Sequence, residues 1–266
     1  MKPSSFRGVS VIMPTYNEAG HIQDLIRDTM HALDLAEIRE YEVIVVDDDS
    51  QDLTWEMAGQ TQGIDRARLS VIRRLRDHGL TASLREGIDA ARHDVVVWMD
   101  CDFSHPPEKI PQLLYMMDQG YDVVVNTRYA IGGGEDRGGK GGAIQLVLSR
   151  LLNWGIRFML KPSFSDYTSG FVASRREVLD EFPLRGDYGE YFIDYIYSVL
   201  RSRRFRVCEL PYVAPPRRSG ESKTGTSLGQ YLRRGRKYLW TVVRLRLGPP
   251  RITKPIVTAR SRRSGA

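Results

Sequence analysis

Residues 95–108 have the sequence VVVWMDCDFSHPPE, an apolar run that ends in two aspartates and a proline-stiffened turn. Residues 95–99 are apolar without interruption, which is typical of a strand buried on both faces in a mainly parallel sheet. Side chains alternate along a strand, so Asp100 and Asp102 point to one side and Cys101 to the other. Open α/β sheets bind their ligands at the carboxyl ends of the strands. The stretch therefore predicts an α/β fold with a binding site at this strand end.

The two aspartates of this D-x-D sequence predict a metal site. Neighbouring carboxylates repel each other and lose hydration when partly buried, and a divalent cation relieves both effects. Hard oxygen ligands suit Mg²⁺ or Mn²⁺, and an ion held there can bridge the phosphates of a nucleotide. The alternative is plain turn chemistry, because Asp also favours turns for its local hydrogen bonds.

The chain on either side alternates short apolar strands with amphipathic helices. Strands are predicted at residues 9–13, 42–46, 69–73, 95–99 and 122–126. Helices are predicted after Asn17, after Asp52, between Gly79 and Arg92, and over residues 110–118. This alternation indicates βαβ units in a parallel, doubly wound sheet, whose acidic strand ends gather at one edge.

The second half of the chain begins with a glycine-rich stretch. Residues 132–142, GGGEDRGGKGG, predict a mobile flap that carries Arg137 and Lys140. Residues 143–160 predict a helix whose apolar stripe either packs in the core, the commoner case, or lies among lipid headgroups. The later elements are predicted as a turn and strand at 166–174, a helix at 191–201, a strand at 206–213, a basic loop at 215–223 and a helix at 227–247.

The net charge of +6 is distributed unevenly. Residues 201–266 contain 18 Lys and Arg against 2 Asp and Glu, which predicts an anionic partner such as a phosphorylated lipid, a membrane surface or a nucleic acid. The helix at 227–247 mixes basic, aromatic and apolar residues, which suits a headgroup interface. Nucleic acid has charge alone in its favour, so we do not expect it as a partner. For residues 253–266 we expect a solvated, partly disordered tail.

The cysteines and the apolar segments indicate where in the cell the protein is expected to be. Cys101 and Cys208 make no disulfide framework, so reduced, cytosolic thiols are expected. Residues 1–8 lack the apolar segment of a signal peptide, and no stretch reaches the roughly 18 uncharged apolar residues that a membrane span needs. We expect a cytoplasmic protein that associates peripherally with the cytoplasmic face of a membrane, either directly or through a membrane-spanning partner subunit.

Six short strings occur together in an order that resembles a known family. They are PTYNE at 14–18, DDDSQD at 47–52, MDCDFSHPPE at 99–108, TRYAIGG at 127–133, SGF at 169–171 and RRSGESK at 217–223. This order resembles the family-2 inverting glycosyltransferases, and within them the dolichyl- or polyprenyl-phosphate mannosyltransferases. The resemblance implies a GT-A fold, which is a Rossmann-like, mainly parallel sheet flanked by helices. It implies a catalytic domain over residues 1–225, followed by a basic amphipathic helix and tail over residues 226–266.

The resemblance also implies which residues of this chain bind the substrates. The nucleobase and ribose would contact Pro14, Tyr16, Glu18 and either Asp48 or Asp49. Mg²⁺ or Mn²⁺ would be bound by Asp100, Asp102 and Ser104. The donor diphosphate or the acceptor phosphate would be held by Arg128, Arg217 and Lys223.

Several residues have a structural alternative. Arg128 follows a strand and could pair with a carboxylate, and Arg218 could share or replace the role of Arg217. Asp47 is expected to end its strand and cap the next helix. His105 is expected to shape the turn before two prolines, with metal binding as the alternative.

The chemistry of inverting transfer favours a phosphate acceptor. The acceptor oxygen attacks the anomeric carbon opposite the departing nucleoside diphosphate. A hydroxyl acceptor needs a carboxylate base, for which Glu190 or Asp194 is the candidate, whereas a lipid phosphate is already ionised near pH 7. We therefore expect a hexose, with mannose from GDP-mannose favoured, to be transferred to polyprenyl phosphate. UDP-glucose or UDP-N-acetylhexosamine is the alternative donor, to a lipid phosphate or a soluble hydroxyl.

Overall fold

A computed structural model describes residues 5–136, 142–216 and 228–251. The predictions for Arg137, Lys140, Arg217, Arg218 and Lys223, and for the tail at 253–266, lie outside the described residues.

The described strands and helices alternate over most of the chain. The strands are β1 (Val9–Thr15), β2 (Tyr41–Asp47), β3 (Leu69–Arg73), β4 (Val95–Trp98), β5 (Val123–Thr127), β6 (Gly134–Glu135), β7 (Val172–Arg175), β8 (Val207–Pro211) and β9 (Val213–Ala214). The helices are α1 (Ile22–Leu35), α2 (Thr54–Gly59), α3 (Leu80–Ala90), α4 (Ile110–Asp118), α5 (Gly142–Met159), α6 (Arg176–Glu181), α7 (Glu190–Ser202) and α8 (Leu228–Leu247).

The main sheet has seven strands in the order β3-β2-β1-β4-β7-β5-β8. Strands β3, β2, β1 and β4 are mutually parallel, so their carboxyl ends meet at one edge. Side chains alternate between two apolar cores, because Val11 and Met13 face one core while Ile12 faces the other. Helices α1 and α4 cover the first core, and α3, α7 and α8 cover the second. The predicted α/β fold with a mainly parallel sheet is confirmed.

One strand departs from the predicted parallel order. Strand β7 lies between β4 and β5 and runs antiparallel to both, with Trp98 opposite Val172 and Val123 opposite Ser174. The sheet is thus mainly parallel, as predicted, but the sequence did not indicate which strand would run the other way. An apolar pattern predicts that a strand is buried but not which way it runs, since both directions bury the same side chains.

Helix α5 presents most of its apolar stripe outward. Leu148, Leu151 and Leu152 are exposed, whereas Ile156 is buried. The polar Asn153 is buried instead, because its side chain donates to Ser165 O at 2.7 Å and accepts from Tyr167 N at 2.9 Å. The core-packing interpretation of this stripe is wrong for its leucines. The alternative, contact with lipid headgroups, stays a prediction.

Ion pairs connect α7 with α8 and with the residues that follow α8. Asp194 of α7 is 2% exposed and pairs with Arg244, at 2.9 Å, and with Arg251. Val242 of α8 is buried in the second core. None of the helices that the described residues form combines the length and the apolar character needed to cross a membrane.

Candidate functional site

A pocket of about 340 Å³ lies at the carboxyl ends of β1, β2 and β4. It is lined by Pro14, Thr15, Tyr16, Glu18, Asp48, Gly79, Leu80, Ser83, Asp100, Cys101, Asp102, Asp187 and Tyr188. Six of the predicted site residues are among them, and they come from three segments far apart in sequence. The structure therefore brings together the parts of PTYNE, DDDSQD and D-x-D that the sequence singled out.

The PTYNE and DDDSQD segments hold each other in place beside the pocket. Asn17 has a φ of 55°, and its N–H donates to Ser50 Oγ at 2.8 Å. The N–H of Glu18 donates to Thr54 Oγ1 at 2.8 Å. The buried carboxylate of Asp47 accepts from Thr15 Oγ1 at 2.8 Å and from the backbone and side chain of Ser50. Asp47 thus closes the strand end, as predicted, and leaves Tyr16 and Glu18 facing the pocket. It does not cap the next helix, because α2 begins after Leu53 with no side-chain cap.

Asp48 is the aspartate of the triple that lines the pocket. Its Oδ1 accepts from Arg74 and, at 2.8 Å, from Ser83 Oγ, while its Oδ2 accepts from Gly79 N at 2.6 Å. Gly79 has a φ of 140°, a conformation that side chains disfavour, so glycine is needed for this contact. Asp49 instead forms an ion pair with Arg73 at 2.6 Å. Among the described residues, the nucleobase role therefore fits Asp48 better than Asp49.

The two aspartates of the D-x-D sequence differ in environment. The Asp102 side chain is buried, and its Oδ1 accepts from Ser104 N at 2.9 Å and from Ser104 Oγ at 2.5 Å. The Asp100 side chain is 45% exposed, and both residues line the pocket. Ser104 orients Asp102 through its hydroxyl, and its role as a third metal ligand stays a prediction.

The donor atoms at this strand end fit a hard divalent cation. Within the part of the chain that the structure describes, no group of three or more His, Cys, Asp or Glu side chains surrounds a metal position. Mg²⁺ commonly takes only one or two carboxylates and completes its shell with water and substrate phosphates. Asp100 and Asp102 supply that kind of incomplete, all-oxygen donor set at the wall of an open pocket.

The pocket is strongly acidic. Five carboxylates line it, those of Glu18, Asp48, Asp100, Asp102 and Asp187, and no described Lys or Arg does. Two of the five already have a cationic partner, since Arg74 pairs with Asp48, and Lys237 of α8 pairs with Asp187 at 2.7 Å. An anionic ligand can enter such a pocket only together with positive charge.

Arg128 is engaged elsewhere. Its Nε lies 3.0 Å from Asp166 Oδ2 and its Nη2 lies 3.1 Å from Asp166 Oδ1, and it also donates to Thr168. Burial raises the pKa of Asp166, but the Arg128 charge and its hydrogen bonds outweigh burial, and the pKa lies below its ordinary value. Arg128 therefore pairs with a carboxylate, which was the structural alternative for this residue. Its contact with phosphate stays a prediction.

The candidate bases of the sequence do not line the pocket. Asp194 is held by Arg244 and Arg251, and Glu190 is buried and accepts from Asp187 N at 3.2 Å. The loop before α7 instead brings Asp187 and Tyr188 into the pocket wall. The sequence offered little signal for Tyr188, and Ser83 and Leu80 were missed because only the fold places α3 beside β2.

Comparisons with known proteins identify the family of the chain. A profile described as glycosyl transferase family 2 matches residues 10–182. Dolichol-phosphate mannosyltransferase of Pyrococcus furiosus is 34% identical over 233 residues, which are 85% of this chain and 62% of that protein. The chain thus spans less than two thirds of that relative's length. Polyprenol monophosphomannose synthase of Mycolicibacterium smegmatis is 34% identical over 229 residues, which are 82% of this chain and 81% of that protein.

A solved structure has the same fold. Glucosyl-3-phosphoglycerate synthase from Mycobacterium tuberculosis, in complex with Mn²⁺, UDP and glucosyl-3-phosphoglycerate, has a TM-score of 0.66 at 20% identity. The match covers 90% of this chain and 80% of that chain. At this identity the likeness concerns the fold, and it confirms the predicted GT-A architecture.

Proposed function

The chain belongs to glycosyl transferase family 2, and on that premise we propose that it transfers a hexose, with mannose from GDP-mannose favoured, to the phosphate of a polyprenyl lipid. The observation that carries the proposal is the acidic pocket at the ends of β1, β2 and β4. A nucleotide sugar fits it when a cation accompanies the pyrophosphate. The relatives named for mannosyl transfer to dolichol or polyprenol phosphate support the choice of sugar and acceptor.

Asp100 and Asp102 are proposed to hold Mg²⁺ or Mn²⁺. A divalent ion held by these carboxylates would supply positive charge to the departing diphosphate. Ser104 keeps the Asp102 carboxylate in one orientation through its two hydrogen bonds. Asp48, which accepts hydrogen bonds from Ser83 and Gly79, is proposed to accept one from the nucleobase as well.

A phosphate acceptor suits this site because it needs no base. The second pKa of a phosphate monoester is about 6, so its oxygen is already a nucleophile near pH 7. The acceptor must be held close to the donor in spite of the repulsion between two anions, and that requires cations. Arg217, Lys223, Arg137 and Lys140 remain our proposal for these cations, with Arg128 restricted by its pair with Asp166.

The direct test is product analysis. Radiolabelled GDP-mannose, Mn²⁺ and polyprenyl phosphate are expected to give a labelled lipid that extracts into chloroform. UDP-glucose and UDP-N-acetylglucosamine serve as parallel donors, and the rise in melting temperature with GDP or UDP in the presence of Mn²⁺ ranks the two bases. Label that appears only in water-soluble products would contradict the lipid acceptor.

A membrane surface is the proposed partner of α5 and α8. Trp154 and Phe158 of α5 are exposed, with ring centroids 6.1 Å apart. Trp240 of α8 is exposed too, and the Arg244 guanidinium lies 5.0 Å from its ring. The two helices contact each other, so aromatic and basic side chains share one side of the molecule. Exposed aromatic rings beside cations suit a headgroup interface.

We propose that this side of the molecule rests on the cytoplasmic face of a membrane. Both cysteines are free thiols, which supports a reducing compartment. A membrane-spanning partner subunit is the alternative to direct contact with lipid.

Charge placed on this side is expected to weaken membrane binding. The double variant Trp154→Glu with Trp240→Glu should lose about tenfold or more in binding to vesicles of mixed zwitterionic and anionic phospholipid. Burial of one large apolar side chain contributes about 1.5–3 kcal/mol, and 1.4 kcal/mol is tenfold. Flotation measures the effect.

Tyr115→Glu is the matched control. Tyr115 is an exposed aromatic residue of α4, the helix that covers the opposite face of the sheet. Unchanged flotation of the double variant, or an equal loss in Tyr115→Glu, would contradict the proposed orientation.

A further inference from the structure

His105 touches Asp100 at two points. Its Nδ1 accepts a hydrogen bond from the backbone N–H of Asp100 at 2.8 Å. Its Nε2 lies 3.9 Å from Asp100 Oδ2, so a hydrogen bond between them requires the carboxylate to move toward the ring. One imidazole ring therefore faces both the backbone and the side chain of the same aspartate.

The protonation of the neutral ring follows from the first contact. A backbone N–H can only donate, so Nδ1 accepts and carries no proton. The proton of the neutral imidazole is then on Nε2, the nitrogen that faces the Asp100 carboxylate. The ring thus presents a donor to that carboxylate.

The ring is held rigidly. His105 is buried and stacks on Phe171, with centroids 5.0 Å apart and an interplanar angle of 15°. Tyr212 packs edge-on at 6.2 Å. Gly170 lies beside both side chains, since a Cβ there would make ordinary van der Waals contacts of 3.5 Å with His105 Cε1 and 3.7 Å with Asp100 Oδ1. The aromatic contacts fix the ring, and the ring in turn limits where the carboxylate can go.

We propose that His105 is a positioning residue for Asp100, holding one carboxylate oxygen by Nε2–H so that the other faces the pocket. This inference rests on the proposed metal site. Ser104 serves Asp102 in the same way, so each aspartate of the D-x-D sequence has its own supporting side chain. Hydrogen-bond partners behind metal ligands change metal affinity by about 10–100-fold when they are removed.

Two substitutions separate the two contacts. In His105→Asn, the amide oxygen can replace Nδ1 as the acceptor for Asp100 N–H, but no group reaches the carboxylate. In His105→Gln, the longer amide can place an N–H where Nε2 stands. His93→Asn is the control, because His93 is partly buried against Gly8 at the opposite end of the sheet.

The experiment measures Mn²⁺ binding by electron paramagnetic resonance, with whichever of GDP or UDP stabilises the wild type. His105→Asn is expected to bind Mn²⁺ about 10–100-fold more weakly, His105→Gln to recover most of that loss, and His93→Asn to match the wild type. The Mn²⁺ concentration for half-maximal turnover should rise in parallel, with kcat at saturating Mn²⁺ little changed. The metal-free melting temperatures of His105→Asn and His105→Gln should fall by similar amounts, because both variants lose the stack on Phe171, so stability does not explain a difference in Mn²⁺ binding between them.

Three results would overturn the inference. Wild-type Mn²⁺ affinity in His105→Asn means that the ring only shapes the turn. Equal weakening in the Asn and Gln variants, together with lower metal-free melting temperatures, means a general structural role. A wild type that binds no Mn²⁺ with either nucleotide removes the proposed metal site itself, and this outcome is distinct from the other two.

Discussion

Replacement of Asp102 by Asn is expected to lower the turnover number by about a thousandfold or more. A charge that stabilises the leaving group contributes several kcal/mol to the transition state, and each 1.36 kcal/mol is tenfold in rate. Asp102→Asn keeps the oxygen that accepts from Ser104, so the loop should stay folded while the negative charge is lost. Steady-state transfer of labelled sugar at saturating Mn²⁺ measures the loss, and Asp100→Asn should behave alike.

Asp49→Asn is the matched control for this loss. Asp49 follows β2 and pairs with Arg73, and it is not among the residues that line the pocket. Its turnover should stay within about threefold of the wild type, as for a surface ion pair. Turnover within tenfold of the wild type in Asp102→Asn would contradict the proposed role of the D-x-D sequence.

The second large effect is expected on stability, in Asp166→Ala. Asp166 is fully buried and binds the guanidinium of Arg128 at two points. Removal of one partner of such a pair leaves a buried charge uncompensated, which typically costs about 3–5 kcal/mol. We expect the free energy of unfolding to fall by that amount in urea titrations.

A double variant provides the control. Arg128→Met with Asp166→Leu removes both charges and should recover much of the loss, since apolar replacements of a buried pair are often neutral. A change below about 1 kcal/mol in Asp166→Ala would show that the pair contributes little to the fold.

The pair of Arg128 and Asp166 also predicts how the stability of the fold changes at acid pH. The pKa of Asp166 is lowered in the folded protein, so its contribution is complete above the unfolded-state pKa of about 3.9 and is lost as the pH falls through the lower folded value. Wild-type stability should therefore decline more steeply below about pH 4 than that of the double variant.

The elements around the pocket were largely predictable because local patterns specify them. Continuous apolar runs placed β1, β2 and β4, and the acidic residues after them fell at one edge because parallel strands share a direction. Asp100 and Asp102 could be found from a strand followed by D-x-D alone. The choice between Asp48 and Asp49 could not be made from the sequence. It depends on contacts with distant residues, because Arg73 pairs with Asp49 while Ser83 and the backbone of Gly79 bind Asp48.

The features that were missed depend on contacts between distant segments. The direction of β7 follows from how the chain returns between β4 and β5, which no local pattern encodes. The outward apolar face of α5 follows from Asn153, a single polar residue that binds the backbone of residues 165 and 167. Hydrophobic periodicity identifies an apolar face but not what covers it, and an interfacial helix has the same pattern as a core helix.

Each aspartate of the D-x-D sequence owes its placement to a residue of the turn that follows. Ser104 and His105 are adjacent in sequence, and they contact Asp102 and Asp100 respectively. The turn after β4 is thus proposed to orient the carboxylates as well as to connect the strand with α4. The short sequence DCDFSH thus contains both proposed metal ligands and the two side chains proposed to orient them.

The central claim is that Asp100 and Asp102 hold a divalent cation beneath the pyrophosphate of a nucleotide sugar. Anomalous diffraction from crystals grown with Mn²⁺ and the nucleotide that stabilises the protein tests it most directly. The account predicts a manganese peak within bonding distance of these carboxylates and of the pyrophosphate, with the base beside Asp48. A nucleotide bound elsewhere, with no manganese at this strand end, would contradict it.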